Sequence, residues 1–267
     1  MELTVVRSGE RTRYKRCPKA WFWAWRMGLV PRGARFGALE LGSWVHAALA
    51  AWYQVRFNRS TLGLVALFEM FAGDDIAIAE HDGAPEHVIE RAEELMQLGL
   101  AMMEAYELKY GQDSGVEVIT AEIPLEFTLT KDAVHRIKPD LVYADRVGDI
   151  WLMEHKTAKT IRTGHLALND QGPPYVAMAE RAMRRAGIIG KQDQLKGMMY
   201  NFLRKQLPDL RPENDKGEKL NKNGSVSAKQ PAPLFLRYPL VLTRIQKERV
   251  LSRVAGETWE IQQITTA

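Results

Sequence analysis

The segment at residues 134–156 constrains the fold more than any other, because two apolar runs are separated there by only five residues. Val134–Ala144 and Ile150–Lys156 have the composition of β-strands, and Asp145–Asp149 forms a short loop between them. Strands joined by so short a loop pair in the antiparallel direction. The sequence therefore predicts a β-hairpin at this position.

Counting outward from the loop pairs Ala144 with Ile150 and places Asp140 directly opposite Glu154. Opposed residues in antiparallel strands have Cβ atoms about 5 Å apart, and like charges at that distance are destabilising. Two such carboxylates need a proton or a cation between them. Mg²⁺ or Mn²⁺ is the expected cation, since hard cations bind carboxylate oxygens.

Lys156 lies two residues beyond Glu154, so strand alternation puts both side chains on one face. His155 points to the other face, which leaves its backbone carbonyl as a further oxygen ligand. One surface then carries two acidic ligands and one ammonium group, the parts that phosphodiester hydrolysis requires. The alternative is a surface hairpin with an exposed Asp, Glu and Lys, a trio that often arises by chance.

The rest of the chain alternates between helical and strand patterns. Predicted helices cover residues 36–57, 85–110, 174–185 and 243–264. Predicted strands outside the hairpin cover residues 119–129, 197–203 and 234–242. This order predicts an α/β fold with a central mixed β-sheet flanked by helices. Residues 1–267 are expected to form a single domain, with a helical insert at about 60–112 and a flexible loop at about 208–231.

The first 35 residues form a basic–aromatic segment, predicted to be helical, although the net charge of the whole chain is only +4. Its basic residues, opposed only by Glu2 and Glu10, are Arg7, Arg11, Arg13, Lys15, Arg16, Lys19, Arg26, Arg32 and Arg35. Basic side chains neutralise phosphates, and aromatic rings stack on unpaired bases, so contact with nucleic acid is one interpretation. In the other, Trp21, Trp23 and Trp25 belong to the core and the charges merely solvate a helix.

Composition excludes several classes of protein. Cys17 is the only cysteine, which excludes an intrachain disulfide framework and suits a reducing cytoplasm. No run of eighteen apolar residues is present, so no transmembrane helix is expected, and the N-terminus lacks the apolar region of a signal peptide. No P-loop motif occurs, so a helicase motor would have to be a separate chain.

Pro-Asp at 139–140, followed by Glu-His-Lys at 154–156, resembles the PD-(D/E)XK nuclease superfamily. The spacing and the trailing Thr157 are similar to its RecB-type branch, which includes phage and CRISPR-associated exonucleases. Three further motifs of that branch occur in family order: Cys17-Pro18, the GxxxH motif from Gly42 to His46, and the QxxxY motif from Gln171 to Tyr175. The resemblance covers roughly residues 8–205.

The resemblance implies a restriction-endonuclease-like core with a divalent-metal site. Asp140, Glu154 and His46 would be metal ligands together with the backbone carbonyl of His155, and Lys156 would stabilise the transition state. For His46 the alternative is a satisfied core histidine. A nitrogen ligand suits Mn²⁺ better than Mg²⁺. Family members with an iron–sulfur cluster use four cysteines, so no cluster is expected here.

Further site assignments concern Gln171, Tyr175 and Glu122. Gln171 and Tyr175 would hold the nucleophile or the DNA backbone, with helix capping and core packing as the alternative. The two prolines that follow Gln171 suit a first helical turn, which places Gln171 at or just before a helix start. Glu122 is a possible outer-shell acid, although a solvent-facing position is the simpler interpretation. The expected DNA-binding residues are Arg13, Lys15, Arg16, Lys19, Lys159 and Arg162.

The implied activity is a metal-dependent DNA exonuclease acting on ends or single strands. A phage or bacterial setting in DNA replication, recombination or repair follows from the resemblance, with a helicase or recombinase on a separate chain as a possible partner. A structure-specific or restriction-type endonuclease is the alternative within the enzyme class. A DNA-binding module with a vestigial site is the alternative outside it.

Overall fold

A computed structural model describes residues 4–29, 36–57, 62–111 and 113–266. Its helices are α1 (Ser8–Arg16), α2 (Pro18–Trp21), α3 (Ala38–Phe57), α4 (Leu64–His81), α5 (Glu86–Tyr110), α6 (Gly172–Arg185) and α7 (Arg244–Thr266). Its strands are β1 (Thr4–Arg7), β2 (Glu117–Ala121), β3 (Leu125–Thr130), β4 (Ala133–Ile137), β5 (Leu141–Ala144), β6 (Ile150–Ala158), β7 (Leu195–Arg204) and β8 (Phe235–Leu240). The structure confirms all four helices that were predicted individually, with ends that differ by at most two residues. Differences of this size are usual for the assignment of helix ends.

The N-terminal segment departs from the prediction, because it begins with strand β1 before turning helical. A π-helical turn at Phe22–Arg26 follows α2. Glu2, Arg32 and Arg35, which contributed to the predicted charge pattern, lie outside the described residues.

The predicted central mixed sheet is confirmed as a five-stranded sheet, and a second, three-stranded mixed sheet accompanies it. One sheet has the order β1-β4-β3 and the other the order β2-β5-β6-β7-β8. The cause is a proline in each of two predicted strands. Pro124 separates β2 from β3, and Pro139 separates β4 from β5. Proline lacks an N–H donor and restricts the residue before it, so each strand breaks there and continues in the other sheet.

The predicted hairpin is confirmed in position and register. β5 and β6 pair antiparallel from Ala144↔Ile150 to Leu141↔Met153. Asp140 therefore lies one residue beyond the last pair, at the level of Glu154. Beyond β6 the sheet continues through the parallel β6–β7 pair and the antiparallel β7–β8 pair.

Two hydrophobic clusters cover the two faces of the five-stranded sheet. Leu141 and Tyr143 of β5 pack in one cluster with residues of α3, α4 and α5. Val142, between them, packs in the other cluster with residues of α6 and α7. This alternation follows from the two-residue period of a strand and shows that the sheet is covered by helices on both faces. No helix in the described part of the chain is long and apolar enough to cross a membrane.

Residues 208–231, predicted to be a flexible loop, contain two isolated bridges, Glu213↔Lys219 and Leu220↔Val226. The buried ammonium of Lys219 donates to the backbone carbonyls of Asp209 and Arg211 at 2.6 and 3.0 Å. The mobility of this loop stays a prediction, but its backbone has an internal hydrogen-bond pattern that composition alone did not indicate.

Two helical glycines provide a test of the α4–α5 packing. A Cβ atom at Gly99 would overlap the ring of Phe68, which is fully buried, whereas a Cβ atom at Gly73 would meet nothing within 4 Å. We expect Gly99→Ala to lower the free energy of unfolding by about 1–3 kcal/mol through overpacking. Gly73→Ala should raise it by up to about 1 kcal/mol, because alanine is the better helix former. Urea unfolding monitored by circular dichroism measures both, and a stabilising Gly99→Ala would contradict the described packing.

Candidate active site

The candidate site lies at the N-terminal end of β5, beside β6. Because pairing stops at Leu141, the edge of β6 is open from Glu154 onward. The backbone N–H of His155 donates to Oδ2 of Asp140 at 2.6 Å. The Asp140 carboxylate thus accepts a hydrogen bond from an N–H at the edge of β6 that the backbone of a longer β5 would otherwise have paired.

Helix α3 brings His46 to Asp140, with 3.3 Å between His46 Nδ1 and Asp140 Oδ2. Gly42, one turn earlier, permits this approach, since a Cβ atom there would lie 3.1 Å from Oγ1 of Thr157 on β6. Burial lowers the pKa of His46, but the hydrogen bond and charge of Asp140 outweigh it and raise that pKa. Burial raises the pKa of Asp140, but His46 and the backbone of His155 hold it below its ordinary value. Each of the two groups therefore favours the charged form of the other.

Glu154 is almost fully buried, and its two carboxylate oxygens differ. Oε1 accepts hydrogen bonds from Lys156 Nζ and Gln171 Nε2, both at 2.7 Å. Oε2 has no partner among the described residues. Burial and the neighbouring Asp140 charge raise the pKa of Glu154 against the opposing effect of Lys156. An unpartnered buried carboxylate oxygen beside a second carboxylate fits a bound cation.

Glu122 joins the site, and the interpretation of it as simply solvent-facing is wrong. His46, Glu122 and Asp140 each offer a ligand atom within 4.8 Å of the others. Glu122 has a left-handed backbone with φ of 54°, and its N–H donates to the Asp140 carbonyl at 3.1 Å. Glu154 is not part of this set. The signal in the sequence was the nearby Pro124, which marks the interruption between β2 and β3 where Glu122 lies.

Gln171 stands at the N-cap position of α6 without capping it, as its side chain points into the site. Its Oε1 accepts from Lys156 Nζ at 2.7 Å, so Gln171, Lys156 and Glu154 form a closed hydrogen-bonded triangle. The prediction that Gln171 precedes the helix start is confirmed, and capping as its alternative role is wrong. Tyr175 is buried, and its hydroxyl accepts from the Lys138 backbone N–H at 3.3 Å.

The His155 side chain points away from this triangle, as strand alternation predicted. Its ring stacks on Tyr53 of α3 with 5.8 Å between centroids. Its Nδ1 lies 2.8 Å from Asn201 Nδ2, which also donates to the Tyr106 hydroxyl at 2.9 Å. Burial lowers the pKa of His155 to about 3, so the imidazole is neutral at pH 7. This side chain, to which the sequence assigned no role, anchors the strand that carries Glu154 and Lys156.

The hydrogen bonds continue from His155 to a buried ion pair. Tyr53 donates to Asp113 Oδ2 at 2.8 Å, and Arg237 donates to both oxygens of Asp113 at 3.0 and 2.6 Å. Arg237 also donates to Tyr106 at 3.2 Å. Helices α3 and α5 and strand β8, which are distant in the chain, are thereby linked behind the site.

A cleft of about 940 Å³ opens over the acidic groups, bounded by α3, with Lys138 and Lys205 among its lining residues. None of the six predicted DNA-binding residues, all of which the structure describes, lines this cleft. Lys159 and Arg162 are exposed just beyond the end of β6.

Some of the N-terminal basic residues form ion pairs with acidic residues, whereas others are exposed to solvent. Arg11 is fully buried and ion-paired with Glu257. Lys15 is ion-paired with Asp170 at 2.6 Å. Lys19, like Arg13 and Arg16, is exposed. Charge density in the sequence therefore overstated the number of cations that are free to meet a phosphate.

The aromatic residues divide in the same way. Trp21 is fully buried and donates to Oε1 of Glu10 at 3.1 Å, so the core interpretation is correct for it. Phe22, Trp23 and Trp25 of the π-helical turn remain 40, 44 and 36% exposed, so the core interpretation is wrong for Trp23 and Trp25.

A family model described as the PD-(D/E)XK nuclease superfamily matches residues 10–263. The solved structure of a "Putative exonuclease" from Eubacterium rectale matches with a TM-score of 0.54 and 11% identity, covering 98% of this chain and 81% of that one. At that identity the match concerns the fold, which is the restriction-endonuclease-like α/β fold that the sequence predicted. The structure of SSO0001 matches with a TM-score of 0.31 and 11% identity over 88% of this chain and 80% of that one, too low to carry an argument. No curated protein sequence matches the chain.

Proposed function

The chain belongs to the PD-(D/E)XK nuclease superfamily, and on that premise we propose that it is a divalent-metal-dependent DNA exonuclease centred on Asp140, Glu154 and Lys156. The observation that carries the proposal is the unpartnered, buried Oε2 of Glu154 beside Asp140 and the Lys156 ammonium. Buried acids in this arrangement need a cation, and a phosphodiester needs a cation for its developing charge.

The metal ligands that we propose are Asp140, Glu154, His46, Glu122 and the backbone carbonyl of His155. In an extended strand the N–H and C=O of one residue point to the same edge. Since the His155 N–H meets Asp140, its carbonyl faces the same open edge. Mg²⁺ or Mn²⁺ held by these oxygen and nitrogen atoms would activate water and polarise the phosphate.

The remaining groups act through position and charge. Glu154 and Gln171 hold the Lys156 ammonium, where it stabilises negative charge on the phosphate as the bond to the leaving oxygen breaks. Gln171 is also placed to orient the attacking water or the backbone of the strand. Tyr175 fixes the backbone at Lys138, next to Pro139 and Asp140, and so acts as a positioning residue.

Cleavage from ends is supported by the name of the Eubacterium rectale protein and by the resemblance of the motifs to the RecB-type branch. Cleavage of linear but not covalently closed circular DNA, with Mg²⁺ or Mn²⁺ present, tests this proposal. Cleavage of both forms would identify the structure-specific or restriction-type endonuclease instead. Binding without cleavage of either would identify a DNA-binding module. We place the enzyme in the cytoplasm of a bacterium or phage-infected host, in DNA replication, recombination or repair, with a helicase or recombinase on a separate chain.

Metal dependence can be tested by binding as well as by activity. We expect chelation by EDTA to abolish cleavage and readdition of Mn²⁺ to restore it. Loss of a group that only orients a metal ligand weakens metal binding about 10- to 100-fold. Since we propose that His46 is itself a ligand, His46→Ala should weaken Mn²⁺ binding by at least about tenfold, measured by calorimetry. The loss should be larger for Mn²⁺ than for Mg²⁺, which prefers oxygen ligands. Equal binding by the variant and the wild type would remove His46 from the ligand set.

A further inference from the structure

A second cavity, of about 820 Å³, lies beside the candidate active site between α1 and the three-stranded sheet. We call it the N-terminal groove and define it by Trp25 and five cationic residues: Arg7, Arg13, Arg16, Arg136 and Lys138. Among the described residues, no Asp or Glu lines it. A cavity lined by one sign of charge concentrates ligands of the other sign.

The groove adjoins the active-site cleft. Lys138 and Gln171 line both cavities. Gln171 bonds to Glu154 and Lys156, so a chain lying in the groove reaches the catalytic groups at this residue. A polyanion bound along the groove would therefore enter the cleft without leaving the protein surface.

Three of the five cations have no ion pair in the described part of the chain. Arg13 and Arg16 are exposed, and the Arg7 guanidinium lies 6.0 Å from the centre of the Trp25 ring. Arg136 and Lys138 are paired, with Glu126 and Glu122. Arg13 and Arg16 contrast with Arg11 and Lys15 of the same helix, which are bound to acids.

Exposed aromatic rings lie in the π-helical turn that supplies Trp25 to the groove. Trp25 lines it, and Phe22 and Trp23 of the same π-helical turn are 40 and 44% exposed. Exposed rings beside guanidiniums stack on unpaired bases while the guanidiniums meet phosphates. A duplex does not present the faces of its bases in this way, because they are stacked on each other.

We propose that the N-terminal groove binds single-stranded DNA and directs it into the active-site cleft, with Arg7, Arg13 and Arg16 on the phosphates and Trp25 on a base. The proposal rests on the proposed nuclease function for its direction toward the cleft. It also differs from the sequence-based prediction, because Lys15 and Lys19 do not line the groove whereas Arg7, Arg136 and Lys138 do.

The test is binding of fluorescein-labelled oligothymidine and of a duplex of equal length, in EDTA, across a salt series. Arg13→Ala/Arg16→Ala should flatten the log–log salt slope for the single strand by roughly 1.4, since each single-strand phosphate contact contributes about 0.7. Trp25→Ala should weaken single-strand binding roughly tenfold. Matched controls outside the groove are Lys222→Ala/Arg249→Ala for charge and Trp259→Ala for an exposed indole. Both controls should bind as wild type.

Three outcomes overturn the proposal: groove variants that bind single strands normally, controls that lose as much as the groove variants, or groove variants that lose affinity for duplex alone. The nuclease proposal fails separately, if wild-type protein binds DNA but cleaves none with Mg²⁺ or Mn²⁺. If instead cleavage depends on Glu154 while the groove variants bind single strands normally, only the groove assignment is wrong.

Discussion

Glu154→Gln is expected to lower the rate of DNA cleavage by at least about 10³-fold while leaving DNA binding intact. Glutamine keeps the shape and the hydrogen-bond acceptor that faces Lys156, but it removes the negative charge from the buried position beside Asp140. The charge that we propose to hold a divalent ion is then lost without loss of packing. Single-turnover cleavage of end-labelled linear DNA at saturating Mg²⁺ or Mn²⁺ measures the effect.

Binding and stability separate this loss from a folding defect. The variant should bind DNA in EDTA at least as well as the wild type, because a negative charge near the phosphate path has been removed. Glu90→Gln, an exposed acid on α5, is the matched control and should cleave normally. Wild-type turnover by Glu154→Gln, or by Asp140→Asn tested alongside it, would place the chemistry elsewhere.

The hairpin and its register could be predicted because they depend only on local sequence. A short loop fixes which residues face each other, so the level of Asp140 and Glu154 follows by counting from Ala144 and Ile150. The start of α6 was predictable for a similar reason. Within a helix, the two prolines after Gln171 fit only the first turn.

Contacts between distant segments could not be predicted in the same way. Glu122 reaches His46 and Asp140 only because the strands break at Pro124 and Pro139 and cross between two sheets. The prolines show in the sequence where each strand is interrupted. Tertiary packing decides which sheet each of the two resulting strands joins.

Charge at the N-terminus shows the same limit. Arg11 and Arg13 are two residues apart in one helix, yet Arg11 is buried against Glu257 and Arg13 lines the groove. The difference arises from α7, which supplies Glu257 nearly 250 residues later in the chain. Composition can indicate a basic segment, whereas the tertiary fold decides which cations remain available.

The buried ion pair behind the site leads to the largest expected effect on stability. Asp113→Ala should lower the free energy of unfolding by about 3–5 kcal/mol, because a largely buried Arg237 would lose its counterion. The Asp113 side chain is 6% exposed and that of Arg237 is 22% exposed. Tyr53 would lose its acceptor as well. Urea unfolding gives the value directly.

An exposed ion pair of the same chemistry provides the control. Arg244 and Glu248 of α7 are 93 and 59% exposed at 2.9 Å, so Glu248→Ala should cost no more than about 0.5 kcal/mol. Replacing both buried partners, as Asp113→Ala/Arg237→Met, should recover part of the loss, because the unpaired charge is then gone. Strictly additive losses would show that the two residues do not act as a pair. Tyr53 and Tyr106 connect this pair to His155 and Asn201, and His155 anchors the strand between Glu154 and Lys156. Asp113→Ala should therefore lower the rate of DNA cleavage as well as the stability. The double variant should recover part of both.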